Sequence, residues 1–190
     1  MSGTSRMTLD ELLQEIKSEF PTFKMVRKAD SLMMKIINVF LKVITLGRAS
    51  SFMDGFITTI GYTVYTNTDW DKMEELGKLI VIRHERVHMR QARKFTRPLF
   101  SFLYVFVFCP MILAYFRYKF EREAYEESMR ALVEYRGTAA ILTPKYREWI
   151  ISQFIGASYG YTWPFRSSVE KWFQETSDRV VSEYVGKGKS

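Results

Sequence analysis

Cysteine occurs once in this sequence, at Cys109, and histidine twice, at His84 and His88. One cysteine excludes an intramolecular disulfide and any structural zinc site built on two or more thiolates. Two histidines exclude every three-imidazole centre, so a metal bound by this chain needs a carboxylate to complete its ligand set. Acidic charge is in deficit as well: 21 Asp and Glu stand against 28 Lys and Arg, a net charge of +7. The positive residues are spread from end to end, without the dense basic block or interleaved stacking aromatics of a dedicated nucleic-acid binder. A glycine-rich phosphate loop, an internal repeat and a serine or cysteine nucleophile signature are all missing. Disorder is excluded in turn, because 190 residues at 47% apolar and 16% aromatic can bury a substantial core. The opening residues are polar, with one arginine and no apolar export core, so the expected setting is cytoplasmic and reducing.

What is present centres on Ile82-Arg83-His84-Glu85-Arg86-Val87-His88-Met89-Arg90-Gln91. His84 and His88 with Glu85 between them form the H-E-x-x-H pattern. On a helix, a spacing of four sets both imidazoles on one face, roughly 5–6 Å apart, suited to sharing a tetrahedral zinc ion. Glu85 points about 100° round the helix from His84, which disfavours it as a ligand and favours it as the general base that deprotonates a zinc-activated water. Thr68-Asp69-Trp70-Asp71 reads as a capping box opening a helix that runs through Lys94. At 3.6 residues per turn Gly77, Val81, His84, His88, Gln91 and Phe95 share one side, and Arg83, Arg86, Arg90, Arg93 and Arg97 gather on the other as a solvated face.

In chain order, Thr8 to Phe20 is an amphipathic helix ended by Pro21. Ser31 to Leu46 is apolar almost all round apart from Lys35, Asn38, Lys42 and Thr45, which predicts a largely buried helix, with a wide apolar face resting on a membrane or partner as the alternative. Asp54-Gly55 reads as a turn, and Phe56 to Tyr65, rich in β-branched and aromatic residues, as a small β-hairpin or two short strands. Residues 98–116 carry no charge and are long enough to cross a bilayer. Pro110 in the middle favours a buried helical hairpin instead, with membrane contact through 98–116 as the alternative. Cys109 reads as a packing residue. Phe120 opens a helix that continues to about Tyr135, and its segment Phe120-Glu121-Arg122-Glu123-Ala124-Tyr125-Glu126-Glu127 offers the carboxylates next after the apolar run. Tyr125, one turn beyond Glu121, either packs or reaches the reaction centre. Thr143-Pro144 starts another helix, 156–165 is an aromatic-rich loop, and Ser167 to Val185 is a final amphipathic helix with Val169, Trp172, Phe173, Val180 and Val181 inward.

The pairing of His84-Glu85-Arg86-Val87-His88 with the later Glu121-Arg122-Glu123-Ala124-Tyr125 resembles the glutamate-completed zinc metallopeptidases, the gluzincins. Within them it is similar to the membrane-associated HtpX-like peptidases, in which an E-x-x-A-D segment on a second helix supplies the third ligand. Matching that alanine to Ala124 implies Glu121 as the ligand, with Glu123 as the fallback and Glu126 and Glu127 as solvated helix charges. Tyr125 departs from the pattern, standing where those peptidases have aspartate. His88-Met89-Arg90-Gln91 resembles the H-x-x-Q extension of small zincin-like domains of bacteria and phages. The resulting expectation is a mainly α (α+β) fold: a single zincin-like domain over 1–190 with flexible ends at 1–7 and 186–190 and a small β-hairpin or sheet before the metal-binding helix. Its cofactor would be Zn2+ on His84, His88 and Glu121, with Glu85 catalytic and a peptide or protein as substrate. The competing expectation is a non-catalytic zinc-binding assembly protein, such as a virion component if the chain is phage-encoded.

Overall fold

The computed structural model describes residues 6–44, 52–55, 57–95, 112–156 and 165–187. The expectations for 98–111, for Cys109 and for the loop at 157–164 lie outside the described residues, as do the extreme ends of the chain. The fold is mainly α with a small sheet: among the described residues are seven α-helices and one three-stranded sheet. They group into two compact units, 1–89 and 90–190, and the division falls within one helix.

The first unit opens with helix α1, Leu9–Glu19, fixed at its start by a reciprocal capping box between Thr8 and Glu11. The Thr8 hydroxyl and the Glu11 carboxylate each accept a backbone N–H that the first turn cannot satisfy internally. Leu12 and Ile16, one turn apart, are buried. Strand β1, Lys24–Arg27, and a short 3-10 turn, Lys28–Asp30, lead into helix α2, Leu32–Ile44. Helix α3 is the single turn Phe52–Gly55, where the sequence reads Asp54-Gly55 as a turn. The hairpin reversal lies further on: β2, Thr58–Ile60, pairs antiparallel with β3, Thr63–Thr66, through Gly61-Tyr62. Gly61 takes φ 61°, the positive value that two-residue hairpin turns of the primed types demand and glycine adopts without steric cost. The sheet order is β1-β3-β2, with β1 parallel to β3 in the register Lys24↔Thr63 through Arg27↔Thr66. Four residues of β1 show no alternation long enough to be read as a strand, and the partner that makes them one lies far along the chain.

Helix α4, Glu75–Phe95, carries the two histidines. It starts later than the capping box at Thr68 predicts, after a 3-10 turn at Trp70–Lys72. The Thr68 hydroxyl is engaged elsewhere: it donates to Asp54 Oδ1 at 3.1 Å, while Asn67 Nδ2 donates to the Asp54 carbonyl at 2.8 Å. The arginine stripe also departs from a purely solvated face. Arg86 donates to Glu19 through Nε and to Glu15 through a terminal nitrogen, both at 2.9 Å, and its side chain is only 17% exposed. Arg90 and Arg93 are exposed as expected.

Helix α2 corrects the expectation of burial. Among the residues of this helix whose burial is described, Met34 alone is buried, whereas Leu32, Met33, Ile36, Val39, Phe40 and Val43 face solvent. Periodicity shows which side chains share a face, but not whether anything covers it.

The second unit is built on helix α5, Ile112–Arg136, helix α6, Pro144–Ile155, and helix α7, Arg166–Lys187. Thr143 caps α6 and Pro144 occupies its first turn, as the sequence predicts. The core joins Tyr118, Tyr125, Met129 and Val133 of α5 to Ile150, Ile151 and Phe154 of α6 and to Val169, Trp172, Phe173 and Val180 of α7. Glu126, which reads as a solvated charge, is instead bridged at 2.6 Å by both Arg130 and Arg179, with Arg130 continuing to Glu183.

Candidate metal site

His84 and His88 sit one turn apart on α4, and the helix brings their rings together edge to face, with centroids 4.9 Å apart. Their Nε2 atoms are 3.2 Å apart. Two zinc–nitrogen bonds of about 2.0–2.1 Å meeting at a tetrahedral angle span roughly 3.3 Å, so both nitrogens already stand at the separation that one ion requires. His88 is 3% exposed and His84 half-buried, a setting with less solvent than a surface helix provides. Glu85, between them, is 7% exposed.

Glu121 and Glu123 lie on α5, and their surroundings differ. Glu121 is 2% exposed, next to buried Phe120 and one turn before buried Ala124. Glu123 accepts a hydrogen bond from Gln91 Nε2 at 2.8 Å, and the same amide group donates to the Phe120 carbonyl at 3.1 Å. Gln91, the last position of the H-x-x-Q extension, thus engages the fallback carboxylate. Among the described residues, His84, His88 and Glu121 form a group that could hold a metal ion, and neither Glu85 nor Glu123 belongs to it. Two imidazoles and one carboxylate is a donor set that zinc accepts in sites that keep a fourth position open for water or substrate. Tyr125 packs among rings, with centroids 5.4 Å from Phe154 and 6.1 Å from Trp149, and belongs to the core of the second unit.

The residue that sequence reading misses is Lys28. It is 1% exposed, its Nζ donates to the Phe52 carbonyl at 2.7 Å and lies 4.1 Å from the centroid of the Phe52 ring. Burial pulls the ammonium down to about 8, against the opposing pull of the Glu85 and Asp54 carboxylates. Nothing in Lys28-Ala29-Asp30 announces this. Its contact with Phe52 of α3 and the field of Glu85 both come from residues remote in sequence.

A lysine whose folded pKa is depressed binds its proton more weakly than the unfolded chain does. Its contribution to stability therefore improves as pH rises from about 8 towards the unfolded value of 10.5. Below that window the cost of the buried charge is fully present. A Lys28→Met variant has no such group. The difference in Tm between wild type and Lys28→Met should move in favour of wild type between pH 7.5 and pH 10 in thermal melts. A difference flat across that range would contradict the depressed lysine.

Comparison with known protein families, with curated proteins and with solved structures gives no match.

Proposed function

We propose that this chain is a zinc-dependent hydrolase of the metallopeptidase type, with His84, His88 and Glu121 holding the ion and Glu85 acting as general base. The observation that carries the reading is the 3.2 Å approach of the two imidazole Nε2 atoms on one helical face, with a buried glutamate between them in sequence. The grouping of Glu121 with the two histidines supports it further. A zinc ion in such a site supplies a Lewis acid that acidifies water and polarises a peptide carbonyl.

The chain's own residues do the rest. The imidazoles lend neutral nitrogen donors, and helix α4 fixes their spacing before any ligand arrives, which limits the ordering cost of binding. The Glu85 carboxylate, on the adjoining side of the same turn, takes a proton from the attacking water. It then delivers that proton to the amine leaving the cleaved peptide bond. Burial of His88 and Glu121 keeps bulk water from competing for the same positions.

Metal content tests the ligand assignment directly. Purified wild type, dialysed against trace zinc, should retain about one zinc per chain. His88→Ala and Glu121→Ala should each weaken zinc binding by more than the roughly 10–100-fold that losing a mere supporting partner costs. Glu123→Ala should retain zinc. Retention by Glu121→Ala together with loss by Glu123→Ala would reassign the third ligand, and retention by His88→Ala would end the zinc reading.

A further inference from the structure

Helix α2 is the most exposed apolar element among the described residues. Leu32, Ile36, Val39, Phe40 and Val43 are 60–72% exposed. Their spacing of four, three, one and three places them on one side of the helix as a continuous stripe. Ile36, Val39, Phe40 and Val43 line one shallow open surface together with Lys35. Single exposed apolar residues need no explanation, but a contiguous stripe of this kind marks a contact surface.

The charges around the stripe select its occupant. Lys35 and Lys42, seven residues apart and both exposed, run along one flank. The helix sequence Leu32–Ile44 contains no acidic residue, and the chain as a whole carries +7. A second copy of the same helix would bring two more lysines to that rim with no carboxylate on either helix to meet them, which disfavours self-pairing. An anionic lipid surface offers what the helix has: acyl chains for the stripe and phosphate charge for the lysines. Length fixes the orientation. Thirteen residues make about 20 Å of helix against a hydrocarbon core of about 30 Å, so the helix lies in the interface and does not cross it.

We infer that α2 is a membrane-surface helix that seats Leu32, Ile36, Val39, Phe40 and Val43 in the outer acyl region of an anionic bilayer, with Lys35 and Lys42 on the headgroups. This site is independent of the zinc reading and uses none of its residues.

Vesicle flotation of the full chain tests it, with phosphatidylcholine vesicles compared with vesicles also containing phosphatidylglycerol. Wild type should float with the anionic vesicles and much less with the neutral ones. Lys35→Gln with Lys42→Gln should lower partitioning onto the anionic vesicles about 30-fold, at roughly a fivefold loss for each surface lysine. Ile36→Ser with Phe40→Ser and Val43→Ser should abolish it. Because all five substituted side chains are exposed, the thermal transitions of both variants should match wild type, and the lysine pair gives a second reading if the serine variant does not fold. Wild type left unfloated by anionic vesicles, or serine and lysine variants that float undiminished, would overturn the inference. So would a wild-type dimer in sedimentation velocity that the serine substitutions convert to monomer, since that would place a second copy on the stripe.

Discussion

Glu85→Gln is expected to lower peptide turnover by roughly 10²–10⁴-fold, the range that a positioned general base contributes. The change keeps the side chain's size and its capacity to accept a hydrogen bond, and removes only the basicity. Zinc content should stay at the wild-type level, because Glu85 is not part of the group formed by His84, His88 and Glu121. Stability will not be untouched: Glu85 is one of the two acids whose charge acts on buried Lys28, and the amide leaves that ammonium with less compensation. Turnover must therefore be measured per folded, zinc-loaded molecule, using an unstructured protein as substrate and a zinc assay on the same fractions. A zinc-loaded wild type with no turnover, and a Glu85→Gln variant indistinguishable from it, would favour the assembly reading, in which the metal only braces the fold. Turnover that survives in Glu85→Gln would remove Glu85 from the chemistry.

The second large effect lies away from the site. Phe154 is 1% exposed and meets three rings, with centroids 5.5 Å from Tyr118, 5.4 Å from Tyr125 and 5.1 Å from Trp172. These partners come from α5 and α7, so the ring joins all three long helices of the second unit. Phe154→Ala removes the buried apolar area and leaves a cavity that rigid aromatic neighbours cannot readily close. The expected loss is about 3–5 kcal/mol, read as a shift in the midpoint of urea unfolding. Leu142→Ala, at a position 55% exposed, should move the midpoint by no more than about 0.5 kcal/mol. Equal shifts for the two would mean that Phe154 is not where the core is held.

The parts of this structure that were legible in the sequence share a cause. His84 and His88 meet because four residues on a helix always bring side chains together, and the α6 start at Thr143-Pro144 depends only on its own first turn. The inward residues of α7 follow from period alone, four of the five being buried and Val181 packing against the same core. The illegible parts are decided by distant partners. Thr68 donates to Asp54 far back in the chain, Lys28 donates to the Phe52 carbonyl and lies in the field of Glu85, and Arg86 leaves the solvated stripe because Glu15 and Glu19 reach it. Helix α2 shows the complementary limit: its apolar pattern is plain, yet the face expected to be covered is open. For the third ligand, the resemblance points to Glu121 with Glu123 as the fallback, and the Gln91 amide on Glu123 separates the surroundings of the two.

Strand β1 runs beside β3 in the same direction, and the two belong to widely separated stretches of chain. During synthesis β1 therefore leaves the ribosome well before the strand that will receive it exists. The β2–β3 ribbon, closed by two residues at Gly61-Tyr62, can form within microseconds of its own emergence. The amino-terminal strand can pair only once β3 exists, so the earliest-made part of the sheet must wait for the latest-made part.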